Sequence, residues 1–429
     1  MFNKLVFKNL KFKRLSTSLV VVASLLVAQA PIANFAEAAE QKVEKKKRKS
    51  RLPSPKTGKK VQEAFELYSE DDINGALVVL LDINASKEYD IAYVDRFIAV
   101  MYATLGDNDV KTIKYLKQAI APDILNELDQ GEALKLLGDM QMQTKDYKGA
   151  LKSYNSWIDF TGISDGQVYI KIANAYYSLG QLDKVIAPAD KAIAAFGDKQ
   201  NQNPYILKVT SFYELKKYKE AIKVLETVVQ LFPEVKQWWT QLPMFYLLVE
   251  DYPKARETLD LAYRLGHLEK ESQITTLASL YSQADAPYKA AILLEKHIAS
   301  GQVKRNHQNI AKLANAWHSA LHIDKAASYY GVLAKMTTNA AHYRKQGMLL
   351  KQDEQFANAI VAFNKAIELG VSEQGQIQMS IAESYFYLEK YKKAYAAIQK
   401  AVKDPKARKY AKGWKNFIID TAKRKNITI

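Results

Sequence analysis

The stretch IANAYYSLGQLDKVIAPADKAI, residues 172–193, decides the fold, because it returns in altered form as QGMLLKQDEQFANAIVAFNKAI at residues 346–367. Each copy runs through an apolar first segment with one small residue, a short polar turn, and a second apolar segment with two more. Within both segments apolar residues recur at i, i+3, i+4 and i+7, the signature of amphipathic helices. The small residues are Ala173, Val185 and Ala192 in one copy, Gly347, Ala359 and Ala366 in another, and Ala382, Ala394 and Ala401 in a third. They stand where two helices must approach closely, and a bulky side chain would hold the backbones apart. Working outward at this period places ten repeats, starting near 57, 92, 131, 166, 202, 236, 271, 307, 340 and 375.

The pattern resembles the tetratricopeptide repeat (TPR) family, over residues 57–402. The resemblance implies an all-α fold: a solenoid of helical hairpins forming a right-handed superhelix, each hairpin burying its apolar stripe on its neighbours. It also implies that the first helix of each repeat lines a concave groove. Carried over residue by residue, the groove comprises Asn174, Tyr177, Thr210, Tyr213, Met244, Asn315, His318, Met348, Glu383 and Phe386. Amide, hydroxyl, thioether and aromatic groups suit an extended peptide. A clamp for a partner's C-terminal carboxylate is not expected, because Ile170 and Ala311, not basic residues, precede Asn174 and Asn315 by one turn. Several residues depart from the pattern. Pro188 and Pro243 fall inside helices, where proline removes a hydrogen bond and kinks the axis. Trp157 and His297 stand where alanine is usual, and the second repeat fits only with an insertion at Asp107–Asp109.

The ends differ from the body. A basic start (Lys4, Lys8, Lys11, Lys13, Arg14), the apolar run LSTSLVVVASLLVA at 15–28 and the small pair around Glu37 read as a secretory signal peptide over 1–38. The alternative is an uncleaved anchor in the inner membrane. Residues 39–56 are charged and aperiodic and are expected to be disordered. The repeat array takes 57–405, and a basic capping helix and tail take 406–429, with Tyr410, Trp414, Phe417 and Ile418 on one face. Residues 39–60 carry a net charge of +8 and residues 390–429 one of +11, whereas residues 61–389 carry −7. KKKRKSR at 45–51 would suit nucleic acid in a cytosolic protein, but behind a signal peptide no nucleic-acid partner is expected. Anionic envelope surfaces are the available polyanions there.

Catalytic chemistry is not legible. The chain has no cysteine, hence no disulfide, thiolate metal site or cysteine nucleophile. It lacks a G-x-S-x-G elbow, a phosphate-binding glycine loop and an H-E-x-x-H helix. His318 and His322 have the spacing of a metal pair, but the register puts His322 in a turn. No cofactor, metal or enzymatic activity is expected. The tyrosines and their equivalents (Tyr176, Tyr281 and Tyr385; Phe212, Tyr246 and Trp317) are read as core. In layout, and in TGKKVQEAFELYSEDDINGALVVLLDI at 57–83, the chain is similar to the periplasmic TPR proteins that accompany TonB–ExbB–ExbD systems in marine gammaproteobacteria. That resemblance implies a periplasmic scaffold accessory to TonB-dependent transport, with TonB-system components among its partners. The second reading is a factor that binds envelope polymers or lipopolysaccharide through its basic ends.

Overall fold

A computed structural model describes Arg48, residues 50–106 and residues 108–429. The expected signal peptide and most of the basic stretch lie outside the described residues. The chain divides into two compact units between Ser211 and Phe212. The first contains α1 (Pro55–Ser69), α2 (Ile73–Leu81), α3 (Glu88–Leu105), α4 (Asp109–Ile120), α5 (Glu127–Gln143), α6 (Tyr147–Thr161), α7 (Gly166–Ser178) and α8 (Ile186–Phe196). The division falls inside α9 (Asn203–Glu214). The second unit continues with α10 (Tyr218–Leu231), α11 (Lys236–Leu248), α12 (Tyr252–Arg264), α13 (Glu271–Gln283), α14 (Pro287–Ala299), α15 (His307–Ser319), α16 (Ile323–Thr337), α17 (Ala340–Gln352), α18 (Phe356–Glu368), α19 (Gln374–Tyr387), α20 (Tyr391–Lys403) and α21 (Arg408–Arg424). No strand occurs among the described residues. Each unit stacks helical hairpins, and the fold is an all-α helical repeat.

The hairpins follow the repeat register. First helices α7, α11, α13, α15 and α17 begin at residues 166, 236, 271, 307 and 340. Near the N-terminus the first helices start earlier than the pattern, at Pro55, Glu88 and Glu127. Pro55 suits a first helical position. Glu88 with Asp90, and Glu127 with Asp129, put carboxylates in a first turn, where the helix dipole favours them.

All nine small residues quoted above are buried. At two repeats glycine replaces alanine in the first helix, and a large ring on the second helix takes the space. A Cβ on Gly347 would stand 2.6 Å from the Phe363 ring, and one on Gly138 would stand 2.6 Å from the Tyr154 ring. Phe363 and Tyr154 are themselves fully buried. The turn between helices is equally regular. One residue per hairpin adopts a left-handed backbone: Asp71, Gly106, Lys145, Gly180, Lys216, Glu250, Asp285, Leu321, Glu354 and Glu389. The next residue often caps the second helix, as Asp72, Asp146 and Asp251 do by accepting from Gly75, Gly149 and Lys254 amides.

Pro188 and Pro243 both fall inside helices, as the sequence places them, and α11 continues through Pro243. Pro188 is accommodated near the start of α8, behind a single 3-10 turn at Leu182–Val185, where its missing N–H costs little. Two expectations are corrected. Residues 50–56, expected to be disordered, are mostly exposed but tied down by hydrogen bonds. Arg48 donates to the Asp123 carbonyl (2.8 Å) and the Leu125 carbonyl (3.1 Å), and Asn126 brackets the Arg51 backbone, accepting from its N–H (2.8 Å) and donating to its carbonyl (3.1 Å). Buried Asp90 accepts from the Ser54 amide (2.9 Å), the Ser54 hydroxyl and the Thr57 hydroxyl (3.1 Å). Burial would raise that carboxyl, but these hydrogen bonds, with nearby Lys87, hold it below the ordinary carboxylate range. The capping helix, finally, does not bury its aromatic face. It seats Ala411, Ile418 and Ala422, while Tyr410 is 67% and Phe417 47% exposed. Small side chains let α21 lie close on α20, and the larger rings are left outside that seam.

Three substitutions test these constraints. Gly347→Ala should destabilise the second unit by roughly 1–3 kcal/mol despite alanine's better helix propensity, because Phe363 cannot yield without leaving its site. Leu321, 80% exposed with φ 61°, loses no buried contact on truncation. Leu321→Gly should be stabilising by up to about 1 kcal/mol, and Leu321→Val destabilising, since a β-branched residue resists the left-handed region. Guanidinium denaturation followed by circular dichroism measures all three.

Candidate binding groove

Within each unit, ion pairs link some first helices to the next along the face the register assigns to the groove. In the first unit this face is a ladder of charges. Arg96 of α3 reaches Asp129 (3.2 Å) and Glu132 (2.5 Å) of α5. Lys135 of α5 reaches Asp165 at the start of α7 (2.8 Å), and Lys171 of α7 reaches back to Asp139 of α5 (2.6 Å). Burial opposes ionisation of Asp165, but Lys135 and the amides it caps lower its carboxyl. In the second unit Lys351 of α17 pairs with Glu383 of α19, and Arg344 stands 3.6 Å from Glu373. Such half-exposed pairs contribute little stability each, on the order of 0–1 kcal/mol. Their effect on the surface is to neutralise its charge.

The expected groove residues fall into different environments. Asn174 and Tyr177 on α7 and Thr210 on α9 are half-buried in the first unit. In the second unit Tyr213 packs its ring against Phe245 (5.8 Å between centroids) and Tyr218 (6.0 Å). Phe386 lies against Trp414 (5.7 Å) and Phe417 (5.1 Å) of α21. Asn315 is exposed but accepts the Tyr330 hydroxyl from α16, and Glu383 is held by Lys351. Met244 is half-buried, Met348 is 45% exposed, and His318 is half-buried with Nε2 3.4 Å from Lys345 Nζ. The carried-over set therefore mixes packing residues with accessible ones. Between them α13 presents half-buried Thr275 with exposed Ser279 and Ser282, and α19 adds half-buried Met379. These four were not singled out in the sequence, although the same repeat register points to them.

Other polar groups serve the stack. Glu226, Asp260 and Glu295 recur at one place on successive second helices and accept the hydroxyls of Tyr246 (2.6 Å), Tyr281 and Tyr329 (2.7 Å). Burial first, then the neighbouring carboxylate, raises all three phenols, Tyr329 to about 12. His322 sits at the N-cap of α16 against Tyr288 (5.3 Å) and Trp317 (5.1 Å), away from the Lys345 side of His318. Among the described residues no group of three or more His, Cys, Asp or Glu could hold a metal ion, and no helix is long and apolar enough to cross a membrane.

No family model matches the chain. A TPR repeat-containing protein of Methanocaldococcus jannaschii is similar, at 23% identity over 295 residues, covering 62% of this chain. The chain matches about half, 47%, of that relative's length. Among solved structures, a tetratricopeptide repeat protein from Parabacteroides merdae is 14% identical, with 70% of this chain and 99% of that one covered and a TM-score of 0.34. The MamA protein is 15% identical over 39% of this chain and 90% of its own, with a TM-score of 0.33.

The titrating groups give the two units opposite responses to acid. Burial holds His297, His318 and His342 of the second unit below the ordinary imidazole value, with Lys345 adding to the effect at His318. A histidine with a lowered folded value binds fewer protons folded than unfolded. Its contribution is intact above about pH 6.5 and is lost as pH falls through the folded value. In the first unit burial raises Asp95 to about 6, against the pull of Lys114. That carboxyl binds more protons folded than unfolded, so acid through pH 6 stabilises the fold around it. Between pH 7 and pH 5, amide hydrogen exchange, corrected for its intrinsic pH dependence, should show protection falling around α14–α17 and rising along α3.

Proposed function

We propose that this protein is a non-catalytic scaffold that binds protein partners along the first-helix face of its repeats. The supporting observation lies in the second unit. Met244 on α11, Thr275, Ser279 and Ser282 on α13, and Met348 on α17 form a neutral, partly apolar strip, while the nearby charges of Lys351 and Glu383 cancel. The hydroxyls of Ser279 and Ser282 turn back onto their own helix carbonyls, at 2.9 and 3.1 Å, which leaves oxygen lone pairs outward. Methionine adapts to varied side chains, and hydroxyls accept hydrogen bonds from a peptide backbone. Four consecutive first helices at roughly 8–10 Å spacing span about 30 Å. That is the length of about nine extended residues.

The location we propose is the cell envelope, supported by the basic, apolar and small-residue order of residues 1–38. The partners we propose are components of a TonB-dependent transport system, supported by the resemblance at 57–83 and by the layout of the chain. A second class of partner, anionic envelope surfaces, is favoured by the C-terminal lysines. Among the described residues from 390 onward, Lys425 pairs with Glu389 (2.6 Å).

Crosslinking in intact cells, purification of the tagged chain and mass spectrometry test the first reading. Met244→Glu together with Met348→Glu should reduce recovery of the captured protein by about tenfold or more, as burying an uncompensated charge in an interface costs several kcal/mol. Met348 is exposed and Met244 half-buried, and circular dichroism should report a folded double variant. Full recovery by a folded double variant would refute the groove.

A further inference from the structure

The outer face of α21 combines two features that a capping helix does not need together. Its seam against α20 uses Ala411, Ile418 and Ala422, all fully buried. Its large rings point elsewhere. Tyr410 and Phe417 are seven residues apart, two turns of helix, so they lie on one side about 10 Å apart. Tyr387 at the end of α19 is 58% exposed and adjoins Phe386, which touches Phe417, so the exposed rings continue across two helices. Around them Lys409, Lys412, Lys423 and Arg424 are exposed. Residues 390–429 contain thirteen lysines and arginines against Asp404 and Asp420. Asp404 is spent on structure, accepting from the Gly375 amide (3.0 Å) and the Lys406 amide (2.8 Å). Asp420 is exposed on α21, and Glu389, two residues beyond Tyr387, is taken up by Lys425 (2.6 Å).

We propose that this face docks on an anionic phospholipid bilayer, with Tyr410 and Phe417 entering the interface and the lysines meeting headgroup phosphates. This deepens the second reading above, and it is independent of the groove. Aromatic rings are at home in the polar–apolar boundary of a bilayer, and one shallow apolar anchor becomes stable when a basic cluster adds attraction to anionic lipids. The occupant follows from charge and shape. A positive surface selects an anionic partner, and rings standing on the outside of a helix, instead of lining a cleft, suit a planar interface better than an enclosed side chain.

Cosedimentation of the full chain with vesicles provides the test. Binding should be about tenfold or more stronger to vesicles containing phosphatidylglycerol than to pure phosphatidylcholine, and should weaken as salt rises. Tyr410→Ser with Phe417→Ser should weaken it by roughly tenfold, and Lys409→Glu with Lys412→Glu by at least as much. Because Phe417 touches Phe386 and Trp414, Tyr410→Ser alone serves as the variant that leaves these packed rings in place. Salt-sensitive binding unaffected by both ring variants would overturn insertion while sparing the charge-driven reading. Binding to soluble polyglutamate but not to vesicles would overturn the bilayer in favour of an acidic protein. Binding to neither would overturn this proposal and the anionic-surface reading together.

Discussion

Everything in this chain depends on close backbone approach at a few small residues. Ala173, Val185 and Ala192, and their equivalents two and more hairpins away, are buried without remainder. They leave room for a second helix to lie in the groove of the first and for the next hairpin to lie on both. Where the first-helix residue shrinks to glycine, a ring on the partner helix grows to fill the gap, as Phe363 does at Gly347 and Tyr154 at Gly138. The pair keeps its volume while exchanging it between helices. Core packing tolerates such redistribution far better than a net change.

That constraint sorts the remaining side chains. Apolar residues are drawn to the seams, and the first-helix face is left to connect one hairpin with the next. In the first unit it does so with alternating charges, Arg96 with Asp129 and Glu132, Lys135 with Asp165, Lys171 with Asp139. In the second unit the charges thin out and hydroxyls and thioethers take their place. The same backbone scaffold thus presents two chemically distinct surfaces, and the neutral one is the better candidate for an extended peptide.

The capping helix shows the rule from the other side. Seating a helix on α20 requires small residues, so Ala411 and Ala422 face inward and the rings of Tyr410 and Phe417 are displaced. Four aromatic and apolar residues at helical spacing read as one buried face, because periodicity reports that residues share a side, not which side is covered. Only the neighbouring helix decides that. The N-terminal segment departs from its sequence pattern for a related reason. Residues 50–56 carry no periodic apolar pattern, yet their backbone is gripped by Asn126 and Asp90 from hairpins more than thirty residues away.

The sequence by itself determined the fold class, the number of hairpins and their register, because helical periodicity and small-residue spacing are local properties that repeat ten times in phase. It also placed His322 in a turn and Tyr246, Tyr281 and Trp317 in the core, whereas Tyr176, Phe212 and Tyr385, expected there too, are only half-buried. Tertiary structure alone decided which groove residues remain accessible. Tyr213 and Phe386 were consumed by neighbouring rings, Asn315 and Glu383 acquired partners, Met244 was left half-buried and Met348 stayed exposed. It also decided that Leu321, a residue with no turn propensity, must adopt a left-handed backbone. The hairpin closes at that point in every repeat whatever residue stands there, since the packing of two whole helices outweighs the strain at a single turn.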